Sequence, residues 1–166
     1  MRVLMVGGGC RGLALAAELV AEGHAVRAVT RRSEAAAGIA AAGCEPWLGD
    51  PDVIGTLRYA LDQVTLLLWL LGTAAGPVDA VAALHGSRLR MMLERTIDTT
   101  VRGVVYEAAG TVDARTLAGG VDELRRARAT SEIPFALVEA DPADPAAWTR
   151  AAREAIAALL ARAPVR

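Results

Sequence analysis

Three glycines near the amino terminus have the spacing of a phosphate-binding turn. Gly7-x-Gly9-x-x-Gly12 follows an apolar run and precedes a helical pattern, the context in which this spacing binds a dinucleotide. Gly7 permits the tight turn, Gly9 leaves room for a pyrophosphate, and Gly12 lets the helix pack closely on the strand. The helix N-terminus adds free N–H groups and partial positive charge. The alternative is a turn that serves structure alone. We expect a dinucleotide to contact Gly7, Gly8, Gly9, Cys10, Arg11 and Gly12.

The end of the second apolar run indicates which dinucleotide is bound. An NAD site usually has Asp or Glu there, to accept hydrogen bonds from the ribose 2′-hydroxyl, whereas this chain has Thr30-Arg31-Arg32. A guanidinium can bind a 2′-phosphate bidentately and stack on adenine. We therefore predict NADP(H) in preference to NAD(H), with Arg31 and then Arg32 as the phosphate ligands and Arg11 as a third. The alternative is that both arginines are merely solvated.

Candidates for proton transfer are few. Tyr106 and Glu107 fall near the end of the fifth apolar run, on the side expected to face the cofactor crevice, and they are the catalytic residues we predict. His85 is an isolated histidine, for which a surface or helix-end role is expected. All eighteen basic residues are arginine. The Tyr-x-x-x-Lys pair of typical short-chain dehydrogenases therefore cannot exist here, nor can a lysine Schiff base.

Six apolar runs alternate with helical patterns along the chain. Short apolar runs between helices are typical of parallel strands covered on both faces. We predict one doubly wound α/β domain over residues 1–166, with three layers, a parallel sheet in the order 3-2-1-4-5-6 and no separate substrate domain. Helices are expected over 33–42, 52–61, 78–84, 87–99, 111–130 and 144–161.

Composition restricts the class of partner. A net charge of −1 over 166 residues gives no electrostatic reason to expect nucleic acid or an anionic membrane. Cys10 and Cys44 have neither metal-ligand spacing nor a disulfide pattern, so no metal is expected and a reducing cytoplasm fits best. The first residues lack a signal-peptide pattern. Leu66–Leu71 is the longest apolar run and is too short to span a bilayer.

The chain resembles the atypical short-chain dehydrogenase/reductase group, the Rossmann proteins often described as epimerase/dehydratase-like. The resemblance rests on VGGGCRG at 6–12, on Leu48-Gly49-Asp50, and on Leu70-Leu71-Gly72. It implies that Asp50 lies near the adenine amino group and that Leu71, Gly72 and Thr73 line the adenosine and ribose. That group commonly has Gly-x-x-Gly-x-x-Gly, whose first position is Val6 here. The spacing and the Thr-Arg-Arg sequence look equally like NADP-linked dehydrogenases of the hydroxyacid or ketopantoate type.

Three functions are compatible with these patterns. The first is an NADP(H)-dependent oxidoreductase acting on a small carbonyl or alcohol. The second is a non-catalytic NADP(H)-binding module that senses redox state or regulates a partner, and the third is an interaction domain that has lost its cofactor. A bare domain of this kind encloses a substrate poorly, so we also expect a homo-oligomer, such as a homodimer, whose partner subunit completes the pocket.

Overall fold

A six-stranded parallel sheet forms the centre of the computed structural model, which describes residues 1–162. Its strands lie in the order β3-β2-β1-β4-β5-β6, and each pair of neighbours is parallel. The predicted α/β class and strand order are therefore confirmed. The strands are β1 Arg2–Gly7, β2 Ala25–Thr30, β3 Glu45–Leu48, β4 Leu66–Leu70, β5 Gly103–Glu107 and β6 Phe135–Val138.

Helices cover both faces of the sheet. Because successive side chains of a strand point to opposite faces, β1 contributes Val3 and Met5 to one core layer and Leu4 and Val6 to the other. The first layer packs against α1, α2 and α6, and the second against α4, α5 and the connection before β4. The helices are α1 Gly9–Ala21, α2 Ala36–Ala41, α3 Val78–His85, α4 Ser87–Thr96, α5 Ala114–Ser131 and α6 Pro145–Arg162.

The connection between β3 and β4 differs from the expected helix. Instead of one helix over 52–61, it forms two short 3₁₀ turns, Ile54–Leu57 and Tyr59–Leu61. The Thr56 hydroxyl bonds to the Val53 carbonyl oxygen at 2.7 Å and to the Asp50 backbone. Side-chain bonds of this kind compete with helical backbone bonds, which explains why the amphipathic pattern alone was misleading.

Smaller differences concern helix ends and faces. The helix expected over 33–42 begins as a 3₁₀ turn, Ser33–Ala35, before α2. Ile97 was expected inside but is 47% exposed, because α4 ends at Thr96 and Ile97 is already extended. Leu160 was also expected inside and is 37% exposed. Within residues 1–162, no helix combines the length and apolarity needed to cross a membrane.

Two adjacent glycines in α5 give a matched test of the packing. A methyl group at Gly120 would overlap the Tyr106 hydroxyl, whereas one at Gly119 would meet open space. We expect Gly119→Ala to raise the free energy of unfolding by about 0.5–1 kcal/mol through helix propensity. Gly120→Ala should lower it by about 1–3 kcal/mol through overpacking. Urea denaturation of both variants is the measurement, and equal stabilisation by both would contradict the packing described here.

Candidate functional site

A cleft of about 380 Å³ opens at the carboxyl edge of the sheet, beside the point where the chain order reverses. Ligands of open α/β sheets bind at such a point. Six of the residues predicted to contact a cofactor line this cleft. They are Gly7, Thr30, Arg31, Arg32, Asp50 and Leu71. The sequence signals from three separate strand ends therefore meet in one place.

The glycine turn joins β1 to α1 with a backbone that side chains rarely allow. Gly7 has a φ of +81°, and a Cβ there would overlap the Leu70 carbonyl oxygen of β4. Gly12 packs on the same turn, since a Cβ would lie 3.1 Å from the Gly7 carbonyl oxygen. A Cβ on Gly9 would meet nothing within 4 Å. Open space beside Gly9, next to the first N–H groups of α1, suits the pyrophosphate of a dinucleotide.

Two arginines stand at the end of β2 with their charges available. The Thr30 hydroxyl accepts the Arg32 N–H at 3.1 Å and lies 3.1 Å from the Arg32 carbonyl oxygen, which fixes the backbone of this turn. Arg31 and Arg32 are both exposed. Neither forms an ion pair with any other residue in the range 1–162. Both guanidinium groups can therefore bind an anion in the cleft.

Asp50 supplies the acceptor of the cleft. Its Oδ1 accepts the Asp52 N–H at 2.9 Å, which holds the half-buried carboxylate against the wall. Asp52 in turn accepts a 3.0 Å bond from the Arg88 Nε, so its charge is already paired. The Oδ2 of Asp50 has no partner among the described residues and can accept a hydrogen bond from an amino group.

Arg11 lies apart from Arg31 and Arg32. It does not line the cleft. Its guanidinium donates to the Thr73 hydroxyl at 3.0 Å and to the Glu107 carboxylate at 2.6 Å, and it lies over the Trp148 ring, 5.0 Å from the centroid. The structure therefore does not bring Arg11 to the other two arginines as a third phosphate ligand.

Glu107 is fully buried at the end of β5. It accepts hydrogen bonds from Arg11, from the Gly72 N–H at 2.7 Å and from the Trp148 indole N–H at 2.8 Å. We call Arg11, Gly72, Thr73, Glu107 and Trp148 the Glu107 cluster. Every partner of the carboxylate is a donor within the protein, so neither oxygen faces the cleft. Sequence periodicity identified Trp148 only as a core residue.

Tyr106 faces the core between the sheet and α5, not the crevice expected from the sequence. It is fully buried, and burial raises its pKa above the ordinary value. Its hydroxyl lies 2.7 Å from His85 Nδ1 and 3.2 Å from the Leu117 carbonyl oxygen. His85 ends α3 but is buried, which corrects the expected surface position. Its Nε2 lies 3.1 Å from the Leu71 carbonyl oxygen.

The partners of His85 determine its tautomer. The Leu71 carbonyl can only accept, so Nε2 carries the proton and Nδ1 accepts the Tyr106 hydroxyl. Burial lowers the pKa of His85, against smaller opposite effects of the Leu71 carbonyl and the Glu107 charge. The neutral ring thus connects Leu71 in the cleft wall to the interior.

Comparison with solved structures identifies the architecture. Triphenylmethane reductase from Citrobacter sp., complexed with NADP(H), aligns with a TM-score of 0.64 at 18% identity, over 82% of this chain and 48% of that one. UDP-glucuronic acid 4-epimerase from Bacillus cereus, in complex with NAD, gives 0.69 at 12% identity, over 85% and 57%. A putative NAD-dependent epimerase/dehydratase from Bacillus halodurans gives 0.69 at 19% identity, over 85% and 70%.

The chain has a Rossmann fold. The structural matches include the epimerase/dehydratase proteins that the sequence resembles. The chain spans about half the length of the first two of these proteins, 48% and 57%. No family model matches the sequence, and no curated protein matches it. What this Rossmann domain binds must therefore be argued from its own residues.

Replacement of the central carboxylate tests the Glu107 cluster. In Glu107→Gln the amide N–H₂ would face a donor, and the buried Arg11 charge would lose its partner. Breaking a buried pair in this way costs about 3–5 kcal/mol, and we expect a loss of that size in urea denaturation. The matched control is Glu18→Gln, which removes an exposed pair with Arg153 and should cost less than about 1 kcal/mol. Similar losses for both variants would contradict the cluster's importance.

The buried histidine predicts a pH dependence of stability. Its pKa is lowered in the folded state, so the unfolded chain takes up the proton first as the pH falls below the ordinary value of 6.5. The stabilisation is complete above that value and is lost on acidification. Urea midpoints between about pH 7.5 and 5.5 should fall more steeply for the wild type than for His85→Gln. His24→Gln is the control, and parallel slopes for wild type and His85→Gln would contradict the assignment.

Proposed function

We propose that this chain is an NADP(H)-binding Rossmann protein whose cleft recognises the 2′-phosphate. The observation that carries the proposal is the pair of unpaired guanidinium groups of Arg31 and Arg32 on the same cleft as the glycine turn. A carboxylate at that position would favour the ribose 2′-hydroxyl of NAD, whereas two guanidiniums favour a phosphate.

Each predicted ligand residue has a task that fits this cofactor. The N–H groups at Gly9, Cys10 and the rest of the first turn of α1 would bind the pyrophosphate. Arg31 and Arg32 would bind the 2′-phosphate, and the free Asp50 oxygen would accept from the adenine amino group. The Citrobacter reductase supports this choice, since it is complexed with NADP(H).

The activity that accompanies this binding is a separate proposal. The structural matches include reductases and epimerases, which supports an oxidoreductase-like role with an unknown substrate. Catalysis by Tyr106 and Glu107 has less support, because both side chains are fully buried and hydrogen-bonded inside the protein. We therefore favour the non-catalytic NADP(H)-binding module. The homo-oligomer and the cytoplasmic location remain predictions.

Calorimetric titration with NADPH and NADH tests the cofactor preference. Hydrogen bonds between charged groups contribute about 1.5–3 kcal/mol, so we expect the wild type to bind NADPH at least about tenfold more tightly than NADH. Arg31→Ala should lose most of that difference. Arg102→Ala is the matched control, because Arg102 is also exposed but precedes β5, at the opposite edge of the sheet. Equal affinities of the wild type for NADPH and NADH would refute the preference.

A further inference from the structure

The two halves of the carboxyl edge differ in whether they leave space for a ligand. A dinucleotide on a doubly wound sheet lies across the switch point, with one mononucleotide over each half of the sheet. Over β1, β2 and the β3 loop the edge is open, and the cleft of about 380 Å³ includes Arg31, Arg32 and Asp50. This half has the groups that suit the adenosine end of NADP.

Over β4 and β5 the edge is closed by backbone. The Gly72 carbonyl accepts the Val112 N–H at 3.0 Å, which joins the loop after β4 to the loop after β5. A Cβ on Gly72 would overlap the Ala109 carbonyl oxygen, and one on Gly110 would overlap the Gly72 carbonyl oxygen. The two loops are therefore in direct contact, with no gap between them for a nicotinamide ring.

The polar groups beside this contact are also already used. The Gly72 N–H and the Trp148 indole N–H both donate to Glu107, and Arg11 donates to Glu107 and Thr73. Thr73 and Glu107, which sequence reasoning placed at the cofactor, thus bond to the protein itself. Neither the space nor the donors on this half fit a nicotinamide mononucleotide.

This disagreement between the two halves deepens the proposed function and rests on it. We propose that the site recognises only the adenosine 2′-phosphate end of the coenzyme and leaves the nicotinamide outside. The ligand class is an adenosine bearing a 2′-phosphate and a 5′-phosphate. Because the oxidation state resides in the nicotinamide, the protein then binds NADP⁺ and NADPH alike, and responds to their total concentration rather than to their ratio.

Calorimetry with coenzyme fragments tests this inference. The ligands are NADPH, NADP⁺, adenosine 2′,5′-bisphosphate, adenosine 3′,5′-bisphosphate and reduced nicotinamide mononucleotide. We expect the first three to bind within about threefold of one another, the 3′ isomer to bind at least tenfold more weakly, and the mononucleotide to show no binding. Arg31→Ala should weaken the first three by the same factor, while Arg102→Ala should change none. The emission of NADPH should not shift on binding, because an exposed nicotinamide keeps its aqueous surroundings.

The outcomes separate the two proposals. NADPH binding more than tenfold tighter than the 2′,5′-bisphosphate, or a blue-shifted emission, would overturn the inference and leave NADP(H) binding intact. Equal affinity for the 2′ and 3′ isomers would overturn recognition of the 2′-phosphate. Absence of binding by NADPH and by every adenosine ligand would overturn the proposed function together with the inference.

Discussion

The buried carboxylate of Glu107 is the constraint on which the carboxyl edge depends. A charge with no exposure to solvent must be matched by donors inside the protein, and here they come from positions 35, 41 and 96 residues away in sequence. Arg11 belongs to α1, Gly72 follows β4, and Trp148 belongs to α6. One side chain therefore fixes the relative positions of the glycine turn, two strand ends and the last helix.

The same bonds that order this half of the edge remove it from ligand binding. An oxygen that accepts from Arg11 and Trp148 is not free to act as a base, and a Gly72 N–H that donates to Glu107 is not free to bind a phosphate. The β1–β2 half has no such buried charge. Its polar groups are held through their backbones, as the Thr30 hydroxyl holds Arg32. These side chains keep their capacity for an external partner.

This difference also explains what could be predicted from the sequence. Strand order and the residues of the open cleft follow from local signals: apolar runs covered on both faces, a glycine spacing, and the charges at the end of β2. The pairing of Arg11 with Glu107 has no local signal, because the two residues are 96 positions apart. The segment 52–61 was misread for the opposite reason. Its apolar spacing was helical, but the Thr56 hydroxyl binds the backbone oxygens of Val53 and Asp50 instead.

In a chain whose only basic side chains besides two histidines are arginines, function depends on whether each guanidinium is already paired. Arg27 is buried, donates to the Ala60 carbonyl oxygen and pairs with Glu45, and Arg11 is paired with Glu107. An arginine in such a pair adds little attraction for a further anion, because its charge is already neutralised. Arg31 and Arg32 retain theirs, and they stand at the β2 end, where the 2′ position of a bound adenosine ribose is read. The free positive charge of the cleft is therefore concentrated at its adenosine end, and most of the electrostatic contribution to binding must come from the 2′-phosphate.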